Sequence, residues 1–116
     1  MLKIVNMKNV PTKMPIPDND FYPGMIYLKD KRPFGVIDDI KAGLDDSTQV
    51  TNKVTVWDQL FCGKTDKFHK CNISFGQLYA TVDGFFTTEP DLGVKAPAII
   101  IDKHNDIIEF IWLGSE

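Results

Sequence analysis

The sequence has no apolar run approaching the ~20 residues that a membrane-spanning helix needs. It has no excess of positive charge either. Thirteen Lys and Arg stand against sixteen Asp and Glu, for a net charge of −3, and the cations are scattered among acids. Binding to phosphate backbones needs a basic footprint, so this balance argues against a nucleic-acid partner. The start, MLKIVNMKNVP, has an apolar run too short for a secretion signal before it meets a Pro-rich stretch. Only two cysteines occur, Cys62 and Cys71. Without a secretion signal they read as reduced thiols rather than a disulfide framework.

Motifs that carry chemistry are equally scarce. There is no Gly-rich phosphate loop and no nucleophile elbow. Cys62, His69 and Cys71 have a spacing foreign to zinc sites, and a fourth ligand such as His104 would have to come from afar. A Cys62–His69 nucleophile pair would need a lowered thiol pKa and an oxyanion hole, and nothing nearby signals either. Asp38-Asp39 and Asp45-Asp46 lack the alternating oxygen ligands and the glycine of a calcium loop, so they read as solvated loop acids. No cofactor is implied, and the chain reads as a non-enzyme.

What is present is the material of one folded β domain. The chain has 116 residues, 43% hydrophobic and 25% charged. That length buries roughly 60–70% of the unfolded surface, enough for a core without metal or disulfide staples. Residues 11–23 read PTKMPIPDNDFYP, and the four prolines Pro11, Pro15, Pro17 and Pro23 forbid a helix interior or a central strand. An extended N-terminal arm over residues 1–23 is expected, followed by a single β domain over 24–116.

Short strand signals follow. Met25–Leu28 and Phe34–Ile37 flank a turn at Asp30-Lys31, and Asp38 to Ser47 reads as a polar loop or a short helical turn. Val50 to Phe61 alternates with period two, and Phe68–Ile73 reads as a further strand. In GQLYATVDGFFTTEP, residues 76–90, Leu78, Ala80 and Val82 form an inward row. Asp83-Gly84 is a type I′ hairpin signal, with Phe85–Thr88 as the returning strand. Ala96–Asp102 and Ile107–Leu113 form a last hairpin. Its final strand is apolar on both faces, which calls for cover on both sides. The pattern Gly-x-aliphatic-Tyr followed by Pro-x-x-aliphatic-Ile-Asp occurs twice, in 24–38 and in 76–102, as in a duplicated strand pair or by chance. The fold class is all-β, a small antiparallel β-barrel or β-sandwich.

Several pieces share an order: Val54-Thr55-Val56-Trp57, Thr65-Asp66, Gly76, Leu78-Tyr79, Asp83-Gly84, Thr87-Thr88, Pro97 to Ile101, and Trp112-Leu113. In that order, residues 54–113 resemble the small β-rich structural proteins of tailed bacteriophages, associated with the capsid as decoration or head-fibre-base components. The resemblance covers about half of the chain, and its motifs are short turn and strand residues. It implies no catalytic residues. It implies a virion protein, assembled in the host cytoplasm, that binds the major capsid protein or other virion subunits and forms a homo-oligomer. Phe21, Tyr22, Trp57, Phe110 and Trp112 are the candidate partner-binding anchors, since aromatics dominate interfaces. The alternatives are a carbohydrate- or ligand-binding β-module with Trp57, Tyr79 and Phe86 as its platform, or a tail or baseplate component.

Overall fold

Hydrophobic alternation and dense turn signals place the chain in strands, and a computed structural model shows two open antiparallel sheets packed together. The structure describes residues 2–7, 12–15, 22–44, 50–70 and 73–114, with backbone alone for 6–7, 12–15, 39–44 and 50–54. The strands are β1 (Leu2–Met7), β2 (Thr12–Pro15), β3 (Ile26–Lys29), β4 (Arg32–Leu44), β5 (Val50–Trp57), β6 (Phe61–Thr65), β7 (Gly76–Thr81), β8 (Phe86–Thr87), β9 (Gly93–His104) and β10 (Ile107–Trp112). One sheet has the order β1-β6-β10-β9-β7-β8 and the other β2-β5-β4-β3. A 3₁₀ turn, Pro90–Leu92, leads into β9.

The expected N-terminal arm is not a free extension where it is described. Leu2–Met7 forms the edge of the six-stranded sheet, and Thr12–Pro15 the edge of the four-stranded one. The proline rule still holds, because an edge strand tolerates a missing N–H. Phe21 and the rest of residues 16–21 lie outside the described residues.

Three other expectations change. Asp38 to Leu44 is strand, since β4 continues through it and pairs with β5 from Ile40↔Val54 to Leu44↔Val50. The alternating run from Val50 breaks at Asp58–Leu60, where the chain leaves the four-stranded sheet and enters β6 of the other. No strand forms among the described residues of Phe68–Ile73, where Phe68 makes the isolated bridge Phe68↔Phe86.

The hairpin over 76–88 stands, but its turn is of another kind. Gly84 N–H donates to Thr81 O at 2.9 Å, and Thr81 N–H to Phe85 O at 2.9 Å. Among the described non-glycine residues only Asp30 and Lys31 have positive φ, so Asp83 does not. Gly84, at φ 84°, does. This is a three-residue loop with a bulge glycine, not type I′. It places Val82 in the loop, where it is 89% exposed, while Leu78 and Ala80 enter the core. The true I′-like turn is Asp30-Lys31, with φ 53° and 65°, joining Lys29↔Arg32. The Gly84 carbonyl accepts from Ile26 N–H at 2.7 Å, so this loop also ties the two sheets together.

The inner face of the six-stranded sheet packs on one end of the other. Ile26, Val36 and Trp57 meet Phe61, Leu78, Phe86, Ala96, Ala98, Ile100, Ile108, Phe110 and Trp112. A smaller cluster of Met25, Ile37 and Val56, with Tyr27, Phe34 and Phe85 against it, covers the opposite face of that end. The four-stranded sheet is therefore buried on both faces there. In β10, expected to be covered on both sides, Ile108, Phe110 and Trp112 are fully buried, Ile107 and Ile111 half-buried, and Leu113 exposed.

The sequence echo corresponds to two strand pairs. β3 pairs with β4 and β7 with β9, each with a bulge near the proline. The registers differ, Ile26↔Val36 against Gly76↔Ile100, a two-residue offset that keeps the same faces inward. Pro97 lies in the interior of its strand, which begins at Gly93. It sits inside central β9, where its missing N–H forces the ladder to bulge.

Candidate functional site

Of the five anchor candidates, the structure puts three in the core. Trp57 is 7% exposed, and Phe110 and Trp112 are fully buried. With Phe61 and Phe86 they form a continuous ring chain: Trp57–Phe61 at 5.8 Å, Phe61–Phe110 at 5.6 Å, Phe110–Phe86 at 4.7 Å and Phe86–Trp112 at 6.5 Å between centroids. Such pairs contribute about 0.5–1.5 kcal/mol each beyond burial. An anchor must offer free area to a partner, and the area of these rings is already covered by the chain itself. Trp57 is further held by its Nε1–H donating to Asp38 Oδ2 at 2.9 Å. Trp112 Nε1 is buried with no hydrogen-bond partner among the described residues, so its indole ring is held by packing. Phe21 lies outside the described residues. Tyr22 is open, 56% exposed, with the Lys67 ammonium 5.4 Å from its ring centroid. The aromatic platform of the ligand-binding alternative is not assembled either, since Trp57 and Phe86 are core and only Tyr79 is half-buried.

The reactive side chains are dispersed. Cys62 lies half-buried on the outer face of β6. His69 stacks edge-on against Phe85 at 5.9 Å. His104 pairs with Asp102 at 3.3 Å on the surface. Among the described residues no three His, Cys, Asp or Glu side chains converge on a metal-sized site. Cys71 lies outside them.

Two clefts flank the β3–β4 turn. The wider, about 680 Å³, lies between the start of β4, the β9 bulge and the end of β10. It presents the Arg32 and Lys95 cations and the Gln59 amide beside Pro33, Pro97 and Leu113. Neither cation has an ion pair among the described residues. The second cleft, about 470 Å³, is mostly apolar, formed by Leu28, Ala80, Val82 and Val94 with Lys31 at its rim. Sequence reasoning missed both clefts. The residues of each come from strands far apart in the chain, and the only local signal was the Lys-Asp-Lys-Arg turn, 29–32.

The outer face of the six-stranded sheet is open along β6 and β10, where inward-facing buried residues alternate with partly exposed ones. Alternation and register set it out in rows. One row is charged: Lys3, Lys64, Glu109 and Asp102, on β1, β6, β10 and β9. In the next row the apolar Cys62, Ile111 and Ile99 are in register, with the Asn6 position of β1 at its end. Leu60 and Leu113 continue it, 48% and 55% exposed, with Val5 at the β1 edge, 50% exposed.

Comparison of the chain with protein-family models, curated proteins and solved structures gives no match. What the fold defines is a class: an all-β domain of two packed antiparallel sheets.

Proposed function

We propose that this chain is an assembly protein, a non-enzymatic virion subunit that binds capsid subunits and stabilises or decorates the head shell. The resemblance of residues 54–113 to capsid-associated phage proteins supports this reading. The observation that carries it is the apolar cleft at the β3–β4 turn. Val82 stands 89% exposed there, with Val94 at 44% and neighbouring Leu92 at 49%. A loop that holds an aliphatic side chain out beside an apolar groove is built to receive a partner's side chain. Burial of such surface contributes roughly 25 cal/mol per Å² before association costs.

The test is co-sedimentation of the intact chain with purified tailed-phage capsid shells. The chain pellets with shells, and Val82→Asp or Val94→Asp weakens this by about tenfold or more. An intact chain that stays in the supernatant with shells refutes the capsid role; pelleting with purified tails instead assigns it to the tail or baseplate. Deleting residues 1–23 is not a clean test, because it removes an edge strand from each sheet.

A second reading, a ligand-binding module, rests on the wider cleft. Arg32 and Lys95 would take a carboxylate or phosphate group there. Titration calorimetry with inorganic phosphate and with an acidic sugar tests it. Binding abolished by Lys95→Ala favours the module over assembly.

A further inference from the structure

We propose that the outer face of the six-stranded sheet is a self-association surface, on which two copies of this chain pack face to face about a two-fold axis running along the strands. This stands independently of the capsid reading. The occupant follows from the order of charges. Lys3, Lys64, Glu109 and Asp102 lie in one row across four adjacent strands, two cations followed by two acids. A two-fold axis between β6 and β10, parallel to them, reverses this row onto itself. Lys64 of one copy then meets Glu109 of the other, and Lys3 meets Asp102.

The same rotation matches the apolar rows. Cys62 faces Ile111, Leu60 faces Leu113, and the β1 bulge at Val5 and Asn6 lies over Ile99. A two-fold axis perpendicular to the strands would set each charge against its own copy if centred on the charged row, or lay the charged row over Leu60 and Leu113 if centred on the Cys62–Ile111 row. Either arrangement buries charges without opposite partners, which is costly. The pattern therefore selects both the partner, a second copy, and the symmetry operator. Aligned packing of two sheets about 10 Å apart accommodates these side chains.

Within one copy, Lys64 and Glu109 lie 3.8 Å apart with side chains 39% and 23% exposed. Their remaining hydrogen-bonding capacity stays free for the facing copy. The size of the face sets the strength. The axis between β6 and β10 overlaps four strands, β1, β6, β10 and β9; at ~4.8 Å spacing and about six residues at ~3.3 Å rise they give roughly 19 Å by 20 Å, or about 400 Å² per copy. The total, about 800 Å², lies below the ~1,200 Å² at which stable specific interfaces begin, in the range of weak, transient contacts. The dimer is accordingly weak and concentration-dependent.

The test is sedimentation equilibrium of the full chain over a concentration series. Wild type moves from monomer to dimer as concentration rises. Lys64→Glu and Glu109→Lys each set like charges against one another twice across the axis, and each weakens the dimer by about tenfold or more. Mixing the two variants in equal amounts restores association. In the mixed pair, the carboxylates of one copy face the ammonium groups of the other at both positions. The like-charge contact within each chain is unchanged by mixing, so recovery reports the contact between chains. Circular dichroism checks that the variants fold. Leu113→Lys, at an exposed position outside the core, provides a second loss of association. A wild type that remains monomeric throughout, single variants that dimerise like wild type, or a mixture that stays monomeric would each overturn the proposal.

Discussion

Gln77 holds together the part of the sheet that Pro97 disrupts, and removing its amide has a calculable effect. Between Gln77↔Ile99 and Tyr79↔Lys95, β7 advances two residues while β9 advances four. The surplus residues surround Pro97, which has no N–H for the ladder. Gln77 Nε2 donates instead to Ala96 O at 2.5 Å and Ala98 O at 3.1 Å, with Leu78 O also in reach at 2.8 Å. Ala96 and Ala98 are fully buried, so Gln77→Ala leaves their carbonyls poorly served by water. At about 1–1.5 kcal/mol per bond, the loss is ~2–3 kcal/mol. That is a large share of a typical stability of about 5–15 kcal/mol. Urea unfolding followed by tryptophan fluorescence measures it, since Trp57 and Trp112 are both buried. Melting should fall by about 8–12 °C.

Gln77→Glu adds a signature in pH. A carboxylate facing carbonyl oxygens disfavours its charged form, so its folded pKa rises above the unfolded value near ~4.3. The folded state then binds more protons than the unfolded state. Stability relative to wild type is highest below the unfolded pKa and is lost as pH rises through the folded pKa. A loss under about 0.5 kcal/mol in Gln77→Ala, within the range of ordinary surface changes, would refute the clasp. So would a flat pH difference curve for Gln77→Glu.

Phe110→Ala removes the centre of the ring chain and should cost about 3–5 kcal/mol in urea unfolding. Thr65→Val should cost roughly 1–3 kcal/mol by the same assay, because Thr65 Oγ1 donates to Gly24 O at 2.9 Å and accepts from Lys67 N–H at 3.1 Å in a fully buried site. Lys31→Gly should stabilise by about 0.5–1 kcal/mol in thermal melts, since a lysine at φ 65° pays a steric cost that glycine avoids. Gly93→Ala should prevent native β7–β9 pairing, visible as lost near-ultraviolet circular dichroism. The new Cβ would collide with the Ala80 carbonyl, which is backbone and has no room to move.

Elements built on near neighbours could be read from the sequence. The Asp30-Lys31 turn, the alternation of Leu78 and Ala80 and the final hairpin all follow from local backbone preference and period two. The candidate site was much less accessible. By alternation Val82 is the next inward residue of its row, yet the loop begins one residue earlier because Gly84 alone supplies the positive φ. Asp38 to Leu44 looked like a polar loop, and becomes strand only because β5 returns beside it. Of the five proposed anchors, Trp57, Phe110 and Trp112 were chosen for residue type. Type signals a large apolar surface, but not whether the chain itself or a partner covers it.

The sequence by itself determined an all-β chain, its main hairpins and which residues alternate together. These depend on torsional preference and a two-residue period, both local. Tertiary structure alone decided which face of each strand is covered, where the chain crosses between sheets at Asp58–Leu60, and that Gln77 must serve a bulge created by Pro97. It also aligned Lys3, Lys64, Glu109 and Asp102 in one row. Strand order and register bring together residues a hundred positions apart, and no local preference specifies them.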